Sequence, residues 1–249
     1  MKILEPYAQI ESAPKYHEAL AAVEFAARTC YKSELSDNIA DAERFIRSVI
    51  KRGHESVLEH FSVTVRFICD RGVSHELVRH RIASFAQESS RFCNYANGKF
   101  GSEITVIKPH DLPERGIPYY LWLEACRNAE ETYNRLVNSG VKPETARSVL
   151  PTSLKTEVVM TANLREWRHF LKLRSVGVTG KPHPDMKLLA DDLLRQFKER
   201  LPVFFEDIAP TTVKREEPQA EPKPQEEPKS VFSPRFLAYM QRRGVFKRL

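Results

Sequence analysis

The densest polar information in the chain is the run Arg79-His80-Arg81-Ile82-Ala83-Ser84-Phe85-Ala86-Gln87-Glu88-Ser89-Ser90-Arg91. Three consecutive basic residues closing an otherwise apolar segment are costly to bury unless they meet anions. The spacing predicts a short helix capped by Ser74 and running through the triplet, with Glu76, Arg79 and His80 on one face. Extended chain is expected over Ser84–Phe92, where alternation would give Gln87, Ser89 and Arg91 a common face. Guanidinium forks suit a phosphate bidentately, and an amide with a hydroxyl suits the edge of a heterocycle. A phosphorylated base is therefore the expected ligand. A solvated charge run is the plainer reading of an arbitrary basic triplet, but the alternating polar segment behind it argues against that.

Other constellations are weaker. His54-Glu55 and Glu59-His60 place two histidines six residues apart, outside the i, i+4 spacing that lets a helix present both to zinc, so no metal is expected. Cys93 lies near the basic segment, yet a lone thiol is more simply a small packing residue than a nucleophile. Ser89 has no base and orienting acid evident beside it, and is read as a binding residue. Neither GxGxxG nor GxxxxGK[ST] occurs, and there are only nine glycines. Nucleotide binding must then rely on arginines and histidines, not on a glycine-rich phosphate loop.

The elements that must position these residues follow from periodicity. Residues 1–10 read as a strand, Tyr16–Tyr31 and Asn38–Lys51 as amphipathic helices, and the alternation from Phe61 to Phe67 as a half-buried strand. Ile104–Ile107 is a short strand and Tyr119–Asn138 a long helix stopped by Gly140. Lys142-Pro143-Glu144 opens a helix ending at Pro151. Thr156–Thr161 is β-rich, and Arg165–Leu173 and Pro184–Arg200 are helical. The order predicts an α+β fold, a mainly antiparallel sheet with long flanking helices.

Of 249 residues, 41% are hydrophobic, enough for a substantial core. The four cysteines are scattered without disulfide-like spacing, the start of the chain lacks the zones of a signal peptide, and no apolar run could span a bilayer. A cytoplasmic location is expected. The net charge is +6, but residues 230–249 alone contribute five basic side chains and no acid. Residues 1–212 are thus nearly neutral and form one expected domain. The segment 213–229, rich in Pro, Glu and Lys, reads as a solvated linker. The tail 230–249 opens with Ser233-Pro234 and carries Phe236, Leu237, Met240 and Phe246, which could dock on the body or a partner. A frayed basic helix, or a phosphate contact of a nucleic-acid-binding protein, are the alternatives, though no nucleic-acid-binding module is recognisable.

Taken together, the motifs resemble those of the flavin-dependent thymidylate synthases. The family signature is RHR, seven residues, then Ser, matched by Arg79-His80-Arg81 and Ser89. Gly53-His54-Glu55-Ser56 with Glu59-His60, Ala146-Arg147 with Leu150-Pro151, and Asn163-Leu164-Arg165-Glu166-Trp167-Arg168-His169-Phe170 with Leu173-Arg174 resemble its other blocks, over roughly residues 1–205. The resemblance implies methylation of dUMP to dTMP, with methylenetetrahydrofolate as carbon donor and NADPH reducing through FAD, in a homotetramer whose sites are shared between subunits. It also implies that Ser56, Arg79, His80, Arg81, Asn163, Arg165 and His169 hold FAD, with His54 and Glu59 beside the flavin. Glu76, Gln87, Ser89, Arg91 and Arg147 fall at positions that bind dUMP, and Arg79 at one that touches both ligands. Arg174 matches the catalytic arginine near the uracil that favours loss of the N3 proton. Some members carry asparagine in place of His169, and Asn-Glu in place of Ala86-Gln87.

Overall fold

Alternation from Phe61 to Phe67 produces the central strand of the sheet, and it extends to Asp70. In this strand, β3 (Ser62–Asp70), Val63, Val65 and Phe67 are wholly buried while Ser62, Thr64 and Arg66 are not. A computed structural model describes residues 1–12, 15–96 and 103–209, all within the compact unit Met1–Thr211. The linker and tail expected over 213–249 lie outside the described residues. β3 pairs along its whole length with β6 (Lys155–Asn163), whose Thr156, Val158, Met160 and Ala162 point to the same core. β2 (Tyr7–Ser12) and β4 (Ala83–Gln87) flank them, giving a four-stranded antiparallel sheet in the order β2-β3-β6-β4.

The first ten residues form two strands. Pro6 has no N–H to donate to a ladder and separates β1 (Lys2–Leu4) from β2. β1 pairs in parallel with β5 (Thr105–Ile107), a small second sheet against α4 (Ile117–Asn138). The remaining long helices follow their periodicity: α1 (Tyr16–Thr29), α2 (Ile39–Lys51) and α7 (Pro184–Arg200) bury Leu20, Val23, Ile46, Leu193 and Phe197 in the core that takes in the inner face of the main sheet.

Two helices depart from expectation. α3 (Arg71–Leu77) is capped by Asp70, whose Oδ1 accepts from the Val73 amide at 2.7 Å, and not by Ser74. Ser74 sits inside the helix and donates back to the Arg71 carbonyl at 2.9 Å. The helix therefore starts earlier and stops at Leu77, leaving the basic triplet in the connection to β4. The expected helix over 142–151 is only α5 (Pro143–Ala146) followed by a 3-10 turn, Arg147–Val149. α6 (Leu164–Leu171) does not end cleanly but runs into a π-turn, Lys172–Val176, before Gly177. Short α8 (Pro202–Phe205) closes the core with Val203, Phe204 and Phe205.

Candidate active site

β4 returns antiparallel along β6, pairing Ala83 with Ala162, and this sets the triplet beside the end of β6 where α6 begins. Asn163 starts that helix: its Oδ1 accepts from the Glu166 amide at 2.9 Å, satisfying one of the orphan N–H groups of the first turn. Trp167, Phe170 and Leu171 anchor α6 in the core, and the Trp167 indole donates to the Val63 carbonyl at 3.0 Å. The opposite face presents Arg165, His169 and Lys172 at helical spacing. Across from them lies the 3-10 turn Glu55–His60.

Between these elements opens a cleft of about 590 Å³. Arg79, His80, Arg81, Asn163, Arg165, His169 and Glu59 from the expected flavin set line it, as does Arg174. His54 and Ser56 are exposed on or beside the 3-10 turn but lie outside the lining. The lining holds five cationic side chains and three carboxylates, a surplus of two positive charges. Arg165 is paired with Glu59 at 2.5 Å and Lys172 with Glu55 at 3.3 Å. Arg79 and Arg81 have no acidic partner among the described residues, and supply the surplus.

Behind the lining, buried groups hold the walls. Arg168 is 1% exposed; its guanidinium grips Asp207 with two bonds of 2.7 and 2.6 Å, the Phe204 carbonyl, and Glu55 at 3.3 Å. Glu55, and with it the 3-10 turn, is thereby tied to α6. His80 is also buried. Its Nδ1 is 3.0 Å from Glu166 Oε1 and its Nε2 is 3.3 Å from Arg174 Nε, with the Phe170 ring edge-on at 4.9 Å. Burial, then the positive charge of Arg174 and the neighbouring His169, push its pKa down to about 4, so the ring is neutral near pH 7. Because Arg174 Nε–H can only donate, Nε2 must accept, and the ring proton sits on Nδ1 facing Glu166.

Glu76, Gln87, Ser89, Arg91 and Arg147, expected at the nucleotide, lie outside the cleft lining. Glu76 is tied to it, accepting from Arg174 Nη1 at 2.7 Å. Gln87 donates to Ser74 at 3.0 Å and to Thr156 at 3.3 Å. The anticipated shared face of Gln87, Ser89 and Arg91 is not formed. The strand ends at Gln87, and the chain turns where the amides of Phe92 and Cys93 both donate to the Ser89 carbonyl. That turn packs instead on α5 and the following 3-10 turn, through Arg91 to Glu144 at 3.0 Å and Arg147 to Ser90 at 3.1 Å. Glu55, Ile82, Glu166, Lys172 and Leu173 also line the cleft, though none was assigned to a ligand from the sequence. Lys172 was findable, being three and seven residues beyond His169 and Arg165 on one face. Glu166 was not, because a carboxylate three residues past Asn163 reads as an ordinary first-turn residue.

Fold and cleft together place a surplus of positive charge between the end of an antiparallel sheet and a helix extended by a π-turn. Residues 14–203 match the family described as thymidylate synthase complementing protein. A flavin-dependent thymidylate synthase from Geobacter sulfurreducens is 36% identical over 202 residues, taking in 76% of this chain and 82% of that protein. Another from Corynebacterium aurimucosum is 34% identical over 208 residues, with 79% and 82% covered. Among solved structures, a UMP/dUMP methylase from Streptomyces cacaoi bound with 5-Br dUMP has a TM-score of 0.69, covering 83% of this chain and 96% of that one at 24% identity, a likeness of fold. The chain belongs to the flavin-dependent thymidylate synthase family.

Proposed function

We propose that this chain methylates dUMP at C5 to give dTMP, taking the carbon from methylenetetrahydrofolate and reducing equivalents from NADPH through FAD. The observation that carries the reading is the place of Arg174. It lines the cleft and at the same time donates to Glu76, one of the nucleotide residues. The cleft suits FAD in charge: a pyrophosphate supplies the two negative charges that Arg79 and Arg81 lack, and arginine forks bind it bidentately. Arg165, Asn163 and His169 complete the set that would hold the cofactor. FAD, when bound, carries the reducing equivalents.

The side chains of the protein have a narrower task. Glu76, Gln87, Ser89, Arg91 and Arg147 bind and orient dUMP, the arginines through its phosphate. The Arg174 guanidinium favours loss of the uracil N3 proton and stabilises the negative charge that develops on the ring, acting from a fixed position. No protein nucleophile is needed, and burial pushes the thiol of Cys69 up to about 12, far from a reactive thiolate. A homotetramer with shared sites agrees with large apolar side chains left open beside the ligand residues: Ile82 in the lining is 69% exposed and Phe92 is 77% exposed. Among the described residues no helix is long and apolar enough to cross a membrane.

Arg174→Ala tests the assignment. The variant should retain flavin, read from its visible absorption, and lose about 10²–10³-fold in kcat. Turnover close to that of the parent chain would remove Arg174 from this role.

A further inference from the structure

Arg174 leaves the π-turn on a side chain with four rotatable bonds, and its guanidinium is held from two sides. Glu76 takes Nη1 at 2.7 Å and His80 Nε2 takes Nε at 3.3 Å. His80 can accept that bond only while its proton stays on Nδ1. Glu166 Oε1, 3.0 Å away, is the group that keeps it there. Glu166 is itself only 6% exposed, and α6 fixes its backbone through the Asn163 cap. The four side chains form one continuous line, carboxylate to imidazole to guanidinium to carboxylate, of which Arg174 is the member assigned to the pyrimidine.

We propose that Glu166 is a positioning residue for catalysis: by fixing the tautomer of His80, it aims the Arg174 guanidinium. This rests on the functional reading above. The physical consequence is specific. If Glu166 lacks its negative charge, Nδ1 can be left as the acceptor, the proton moves to Nε2, and Nε2–H faces Arg174 Nε–H, donor against donor. The guanidinium then loses one of its two tethers, although the cations lining the cleft are unchanged. The groups facing His80 are Glu166 and His169 from α6, Arg174 from the π-turn and the uncharged Phe170 ring. Of these, Glu166 is the group within hydrogen-bond distance of Nδ1, at 3.0 Å.

The experiment is a double-mutant cycle in the full-length flavoprotein, with Glu166→Gln and Arg174→Lys made singly and together. Glu166→Gln should keep its flavin bands and their shift on adding dUMP, with KM for dUMP changed less than about threefold. Its kcat should fall by about 10–100-fold, the usual loss when a partner that orients a functional group is removed. In the Arg174→Lys background, where no Nε–H reaches His80, the same change should cost less than about threefold. An equal loss in both backgrounds, or a loss below about threefold in the parent background, overturns the proposal. Should Glu166→Gln fail to fold, Glu166→Asp, which withdraws the carboxylate by one methylene, is carried through the same cycle with the same criteria. A parent chain that neither binds flavin nor turns over dUMP contradicts the functional reading instead. The cycle is then read in urea midpoints, where additive losses overturn the link and non-additive ones support it.

Discussion

His80 shows how the charge state of a residue depends on burial that its type does not reveal. As a member of a basic triplet it reads as a cation for phosphate, but the fold buries it, keeps it neutral and engages both ring nitrogens. Its flanking arginines stay exposed and have no acidic partner among the described residues. The difference arises because Leu77 ends the helix, so the three residues follow a connection and not one helical face. A pH dependence follows. The unfolded chain takes a proton on His80 near 6.5, whereas the folded ring takes one only near 4. Stability is therefore fully present above about pH 6.5 and falls as pH drops towards 4, by up to about 3 kcal/mol. Glu166, whose pKa burial raises, works in the opposite sense and reduces the net effect. Urea midpoints at pH 7 and pH 4.5 should show a larger acid loss for the parent chain than for His80→Gln; equal losses would contradict the buried neutral ring.

Elements were legible where period and cap agreed. The alternation of β3 and β6 and the long helices α1, α2, α4 and α7 could all be read from spacing. α3 was misplaced because Asp70 and Ser74 are both good caps, and only the strand pairing, which extends through Asp70↔Lys155, decides between them. The π-turn after α6 left no sequence signal beyond Gly177, since its apolar residues continue the helical pattern. It is held from α7, where Lys187 donates to the Ser175 carbonyl at 2.8 Å and Asp191 accepts from the Ser175 hydroxyl at 2.5 Å. Gly177 ends it at φ +79°, and an added Cβ would lie 2.9 Å from the Gly180 carbonyl oxygen and 3.2 Å from Pro182. Gly177→Ala should therefore cost about 1–2 kcal/mol in urea unfolding, as expected for a left-handed residue with a side chain. Displacing Arg174, three residues earlier, it should also lower kcat. Unchanged stability would mean that the turn is not strained there.

At the scale of the whole molecule, composition and order gave an α+β architecture around a mainly antiparallel sheet. What they left out was the small parallel sheet of β1 and β5, which depends on pairing over a hundred residues of sequence separation. The assembly of the site has the same character. Arg79 and Arg81 come from the end of one strand connection, Arg165 and His169 from α6, and Arg174 from the π-turn. Their convergence is set by the β4–β6 register and not by any local spacing. The claim that unites them is that flavin and nucleotide meet at one site, joined at Arg174. Visible absorption of the purified full-length protein, before and after dUMP is added, tests this most directly. The account predicts flavin bands that shift when the nucleotide binds. A colourless protein that cannot be reconstituted with FAD, or flavin bands indifferent to saturating dUMP, would contradict it.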